Sequence, residues 1–301
     1  MLTNDTSERS TMIALRSSAT CVAVLLAVGC AKDATFEEPL PELAAIHWVN
    51  AVPDTGQQDM RIVDITANAG LFDANYRGSN MFYQAIQSGT RTYRIFNSST
   101  DPVIAQQILL EGTLNLAPDQ GYTLIHAGFA RAASTPAHAA LLLLDNPPVP
   151  AAGQLAVRAV NAGAGLGNVD VFIVRKPVNA ATVDSLPDAR AATNVAFGQA
   201  SAYVPAAVDD TAAAAGQAMR VVFTATGTKT VLAAITAPAG QFGTTNPPTE
   251  PIAGSRIAGS VLTAILVPRP VAGSAAPANA ADSLISTVYL VDRRPPRGNV
   301  P

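Results

Sequence analysis

Cysteine is nearly absent from this chain: 301 residues hold only Cys21 and Cys30. No disulfide framework can staple it, so whatever folds must be held by an apolar core of fair size. Charge is equally sparse, at 14% of residues with a net charge of −3 and no block of Lys or Arg. That excludes the clustered cations on which binding to nucleic acid through counterion release depends. There are three histidines and one tryptophan. No apolar run reaches the roughly 20 residues that a membrane-spanning helix needs. Past the first 30 residues no segment keeps a helical period. What the chain does have is 49% apolar residues, with 21 Gly and 22 Pro, the composition of a globular protein rich in turns.

The apolar run Ala19–Val28 follows Arg16 and ends at Gly29-Cys30. A positive start, a short apolar stretch and a small residue before the cut are the layout of a secretory signal. Ala27-Val28-Gly29-Cys30 resembles the bacterial lipobox, with Ala27 where Leu is usual. The resemblance implies a signal peptide over 1–29, cleavage before Cys30 and lipid on its thiol. Met12 is a more natural start than Met1, because Met1–Thr11 carries Asp5 and Glu8. Ala31 after Cys30, where an Asp would favour inner-membrane retention, implies the outer membrane, facing either periplasm or surface. Residues 30–44 then form a lipidated polar linker.

The remainder is written twice. "HWVNAVPDTGQQDMRIV" (47–63) aligns without a gap on "RAVNAGAGLGNVDVFIV" (158–174), and Val49, Asn50, Ala51 and Asp59 recur as Val160, Asn161, Ala162 and Asp170. "SNMFYQA" (79–85) resembles "TNVAFGQA" (193–200), and the copies close on "LLLLDNPP" (141–148) and "VYLVDRRPP" (288–296). The expected organisation is one repeat over 45–148, a Pro-rich linker at 149–153, a second repeat with long loops over 154–296, and a tail at 297–301. The prolines of Asn146–Gly153 favour a semi-rigid extended spacer.

Each copy reads as seven short strands separated by turn clusters. Leu110, Leu114 and Leu116 alternate with Glu111, Thr113 and Asn115, the period of two that marks a half-buried strand. Seven strands in about 100 residues argue for an all-β fold of two tandem immunoglobulin-like β-sandwich domains after the lipoprotein signal peptide. "VNAVPDTGQQDMRIV", "NVAFGQASAYV" and the tandem arrangement resemble the bacterial family called domain of unknown function 4397. The resemblance implies paired β-sandwich units on an exported protein, and it carries no catalytic residues to transfer.

The chemistry-bearing residues are few. His47, His126 and His138 lie in separate parts of the first repeat, with no close pair on one element of the kind a zinc site uses. "GAGLG" (163–167) leads into a strand and not a helix, so it reads as a connection and not a phosphate cradle. Asp54, Asp59, Asp64 and Asp73, and the pair Asp209-Asp210, read as turn carboxylates, with calcium at a loop rim as the other reading. Ser255 and Ser260 lack the strand–turn–helix setting of a nucleophile elbow. Asn50 and Asn161, with Asp59 and Asp170, are structural repeat positions: an Asn at a strand end can bond the backbone of the turn that follows. Trp48 belongs to a core strand, while Tyr76, Phe82 and Tyr83 are placed to form a small apolar rim.

The expectation is therefore a non-catalytic, lipid-anchored envelope protein with a binding, adhesion or scaffolding role and a protein or glycan partner. No cofactor, metal or catalytic set is called for, and Cys30 is the one residue with assigned chemistry. The alternative is a glycan-active hydrolase using loop carboxylates. It demands two carboxyls converging in a cleft within about 10 Å of each other.

Overall fold

Burial on both faces is the feature that organises this chain. The computed structural model describes residues 40–66, 69–175, 186–209, 218–276 and 283–296. The expected signal peptide, Cys30, most of the expected polar linker and the 297–301 tail lie outside the described residues. The first repeat forms β1 (Leu43–Ala51), β2 (Gln58–Ile62), β3 (Gly70–Ala74), β4 (Gln84–Gln87), β5 (Gly89–Asn97), β6 (Ile108–Leu116), β7 (Gly121–Ala127) and β8 (Ala139–Asp145). One helical turn, α1 (Pro102–Ala105), caps on Asp101 between β5 and β6. The second forms β9 (Gln154–Asn161), β10 (Val169–Val174), β11 (Ala192–Val195), β12 (Val204–Ala207), β13 (Arg220–Ala225) and β14 (Val231–Thr236). A small hairpin follows, β15 (Thr244–Thr245) and β16 (Pro248–Thr249), and then β17 (Val261–Val267) and β18 (Ser286–Arg293). Among the described residues no helix is long and apolar enough to cross a membrane.

The sheets of the two repeats correspond strand for strand. β4-β1-β7-β8 matches β12-β9-β17-β18, and β3-β2-β5-β6 matches β11-β10-β13-β14. The parallel pairing of β1 with β7 recurs as β9 with β17, while every other pairing is antiparallel. The chain is all-β, and among the described residues the two four-stranded sheets of each unit hold eight strands where seven were expected, with the β15–β16 hairpin added in the second. β3 and β12 were missed for local reasons. β3 opens on Gly70 and carries Asp73 at φ 49, and β12 contains Pro205. Pro205 is tolerated because β12 is an edge strand.

Three apolar layers separate four sheets. Ile46, Trp48, Met60, Ile95, Leu116 and Leu124 fill the first sandwich, and Leu155, Val171, Met219, Phe223, Leu262 and Leu266 the second. Between the sandwiches lies a third layer, where Val49, Ala51, Ile125 and Ala127 meet Val160, Ala162, Ile265, Val267 and Leu290. The two inner sheets, β4-β1-β7-β8 and β12-β9-β17-β18, thus pack face to face. Every residue of β17 is buried, as expected of a strand covered on both sides. Asn146–Gly153 connects the two units without spacing them apart. Two-sided burial on the inner sheets, which period-two reasoning treats as exposed on one side, is what overrides the spacer expectation.

The second block of repeat similarity also shifts. Asp73 and Asn194 both have positive φ (49° and 54°), and their amides donate to Asp59 and Asp170 at 2.8 and 2.9 Å. Ser79 bridges to Val49 as Ala200 bridges to Val160. Residues 73–80 therefore correspond to 194–201, and aligning Asn80 with Asn194 was a slip onto a chance Asn match.

Candidate functional site

The repeat asparagines act on backbone. Asn50 ends β1 with its side chain buried; Nδ2 donates to the carbonyls of Ala74 (3.0 Å) and Asn75 (3.2 Å), and Oδ1 accepts from the Val52 amide (3.2 Å). Asn161 donates to Val195 O (3.0 Å) and Gly167 O (2.9 Å) and accepts from the Gly163 amide (3.0 Å). Asp59 binds the Asp73 amide and Arg61, and Asp170 binds the amides of Asn194 and Gly227 and the Arg190 guanidinium. Burial pushes the Asp170 carboxyl up, but the two amides and Arg190 outweigh it and hold the group below its ordinary value.

The other residues singled out by sequence are spent in the same way. Asp54 accepts the amides of Ala130 and Arg131, Asp64 binds Arg91 and the Thr92 amide, and Asp209 binds Arg175 and the Met219 amide. Asp210 lies outside the described residues. Among the described residues no three His, Cys, Asp or Glu gather as a metal site. Gly163–Gly167 turns directly into β10. Ser260 Oγ accepts the Gly254 amide, and Ser255 is fully buried. Trp48 is fully buried in the first core. Tyr76, Phe82 and Tyr83 form no exposed rim: Tyr76 donates to Pro268 O, and Phe82 packs on the core of the second sandwich. The histidines also depart from expectation, because the β7–β8 hairpin brings His126 Nε2 within 2.9 Å of His138 Nδ1. Burial, with His138 adding, pushes His126 down to about 3, so it is a neutral ring hydrogen-bonded to Gln58 at 2.7 Å.

Among the described residues buried charge concentrates at the seam between the sandwiches, and the repeat builds it twice. His47 on β1 and Arg158 on β9 occupy the same repeat position. So do Tyr83 and Tyr203 just before β4 and β12, Thr123 and Thr263 on β7 and β17, and Asp145 and Asp292 on β8 and β18. In each sandwich the tyrosine and threonine hydroxyls donate to their own aspartate: Tyr83 and Thr123 to Asp145 Oδ2, both at 2.8 Å, and Tyr203 (2.6 Å) and Thr263 to Asp292 Oδ2. The basic residues cross over. Arg158 Nη2 donates to Asp145 Oδ1 at 2.6 Å, and His47 Nε2 faces Asp292 Oδ1 at 3.6 Å. Each basic group also lies on its own sandwich's tyrosine: the His47 and Tyr83 ring centroids are 3.8 Å apart, and Arg158 Cζ is 4.9 Å from the centre of Tyr203.

Electrostatics follow from this enclosure. Burial alone would lower the Arg158 guanidinium, but Asp145 and then Asp292, 3.7 Å from the same Nη2, more than restore it. Burial raises Asp292 to about 6 against the pull of Arg158, and it lowers His47 to about 4. Both tyrosine phenols are pushed up by burial and the nearby carboxylates, so they remain donors. A cleft of about 430 Å³ between the start of β1, the Asp119–Gly121 turn and Asn146-Pro147 ends on Tyr83 and Asp145. Gly121 leaves room for the phenol there, since a Cβ would sit 3.0 Å from Tyr83 Oη. Sequence comparison of the repeats aligned His47 with Arg158 and Asp145 with Asp292, which was the available signal, but nothing in it showed that the pairs cross.

No curated protein matches the chain. Among solved structures, a DUF3823 family protein from Parabacteroides merdae is similar at 10% identity and a TM-score of 0.20, covering 64% of this chain and 95% of its own. A chain from Parabacteroides distasonis named "Putative cell adhesion protein" is similar at 7% identity and a TM-score of 0.19, covering 84% of this chain and 99% of its own. The match to a family model runs from β1 through the first sandwich and into β10. Residues 44–172 match the model of the family described as domain of unknown function DUF4397, to which this part of the chain is similar.

Proposed function

We propose that this chain is a non-catalytic binding or scaffolding protein of the cell envelope, tethered to the outer membrane by lipid on Cys30, with its paired sandwiches acting as one body. The observation that carries this reading is the fate of Asp145 and Asp292. Among the described residues these two carboxylates converge on one Arg158 nitrogen, yet both side chains have zero exposure. Every oxygen of the pair except Asp292 Oδ1 already accepts a hydrogen bond from protein. A glycosidase needs its acid and its base on either side of a bound sugar. Here Arg158 stands between the carboxylates instead.

The hydrolase reading retains one favourable observation, the cleft that ends on Tyr83 and Asp145. The two separate cleanly by experiment. Intact envelopes carrying the lipidated chain would be cross-linked and the chain captured, with Cys30→Ala as the unanchored control. A specific protein or glycan held by the anchored form, with no turnover of envelope glycans by purified protein, supports the proposal. Glycan hydrolysis abolished by Asp145→Asn overturns it, and both forms fractionating as soluble protein overturns the anchor.

A further inference from the structure

The seam is nearly two-fold symmetric in its hydrogen bonds, but the symmetry fails at one place. Arg158 brings its own protons to Asp145. His47, at the same repeat position, does not do so for Asp292: both His47 Nε2 and Asp292 Oδ1 are buried without a hydrogen-bond partner. The other ring nitrogen explains why. Nδ1 lies 3.1 Å from the Asn80 carbonyl, which can only accept, so Nδ1 carries the hydrogen and a neutral ring presents a bare lone pair at Nε2. The ionised Asp292 would oppose it with a second lone pair at 3.6 Å. A bridging water needs two bonds of about 2.8 Å at an open angle, which this gap does not span.

We propose that His47 and Asp292 hold one proton between them across the seam, and that this proton is an acid latch between the two sandwiches. One proton converts the facing lone pairs into a donor and an acceptor. It also balances the enclosed charge, because Arg158 alone cannot neutralise Asp145 and Asp292 together. The Val291 backbone carbonyl also reaches the His47 ring but can only accept, and the other groups that face the pair are already engaged. Thr123 and Tyr83 donate to Asp145, Thr263 and Tyr203 donate to Asp292 Oδ2, and Arg158 lies against Asp145.

Burial also decides where the proton sits. It raises Asp292 and lowers His47 until their ordinary order is reversed, about 6 for the carboxyl against about 4 for the imidazole. The folded pair is therefore a carboxylic acid facing a neutral imidazole, a small closure of the 3.6 Å gap lets the acid donate to Nε2, and the pair empties as pH rises through about 6. No covalent chemistry is involved; a single proton is exchanged with solvent.

The test is side-chain nitrogen NMR of the full isotopically labelled chain between pH 4.5 and 8, with His47 assigned through His47→Gln. His47 Nε2 should shift from a hydrogen-bonded acceptor to a free lone pair as pH rises. In Asp292→Asn, whose amide can donate permanently, the midpoint should disappear. A His47 resonance that titrates alike in both proteins, or never changes in the wild type, overturns the proposal. Should Asp292→Asn fail to fold, infrared difference spectra of the wild type decide. A buried protonated carboxyl band at pH 5.5 that is lost by pH 8 supports the latch, and its absence at pH 5.5 overturns it.

Discussion

Arg158 and Asp145 belong to different sandwiches, yet their side chains meet at 2.6 Å with almost no exposure. A buried pair of this kind is poor evidence of net stabilisation, because desolvation offsets most of its attraction. Breaking it is another matter. Its loss would leave Asp145 and Asp292 enclosed with no cation between them, at the layer where the inner sheets pack.

Arg158→Met should therefore destabilise the protein by about 3–5 kcal/mol, the range for an uncompensated buried charge. Adding Asp145→Leu should restore part of that loss instead of adding to it. Urea midpoints of the two single variants and the double variant give the coupling. Strict additivity would mean that the pair makes no contact across the seam.

The His47–Asp292 pair predicts opposite pH trends in its two single variants. With His47→Leu, Asp292 remains, its folded value raised to about 6 from 3.8. Its contribution is then present below about 4 and lost as pH rises through 6. With Asp292→Asn, His47 remains, its folded value lowered to about 4 from 6.5. That contribution is present above 6.5 and lost as pH falls through 4. Each shift amounts to roughly 3 kcal/mol at about 1.4 kcal/mol per pH unit. In the wild type the two nearly cancel, so its denaturation midpoint should change less between pH 4 and 7 than either variant's. Parallel trends in the two variants would refute the assignment.

The seam explains how far sequence reasoning could reach. The tandem copies, the β character and most strands were legible, because a period of two and turn residues are local signals. "VLTAILV" at 261–267 carried the mark of burial on both faces, but an apolar run does not name what covers it. Hence the second copy's role as the cover for the first was hidden. His126 and His138 were judged separate because twelve residues intervene, and only the β7–β8 register brings them together. Asp145 and Asp292 stand in the sequence only as matched positions in the segments that close the two copies. Their chemistry arises from partners on other strands, from Arg158 thirteen positions from Asp145 to His47 in the other repeat facing Asp292, and a period-two pattern joins none of them.

Asn50→Ala and Asn161→Ala should cost similar amounts, about 3 kcal/mol each. Either change leaves two backbone carbonyls and one amide without their partner in a buried place, at roughly 1–3 kcal/mol per group before relaxation. Asn→Asp should be nearly as damaging, since it keeps the acceptor and loses both donors. Thermal denaturation of the four variants checks this. A tolerated Asn161→Ala beside a damaging Asn50→Ala would deny that the two positions do the same work.

Gly121→Val gives the first sandwich the residue that the second has at Val261. In β17 that valine is fully buried, and its neighbour Tyr203 still reaches Asp292. At position 121 the new Cβ would press on the Tyr83 phenol from 3.0 Å, and the branched methyls would occupy the cleft above Asp145. The phenol must then swing away from Asp145, leaving one carboxylate oxygen with Thr123 alone. The expected cost is about 1–3 kcal/mol, the range for overpacking. Removing the phenolic donor by Tyr83→Phe should make the valine cheaper to accommodate. A double variant no more stable than the product of independent effects would show that Gly121 is small for some reason other than Tyr83.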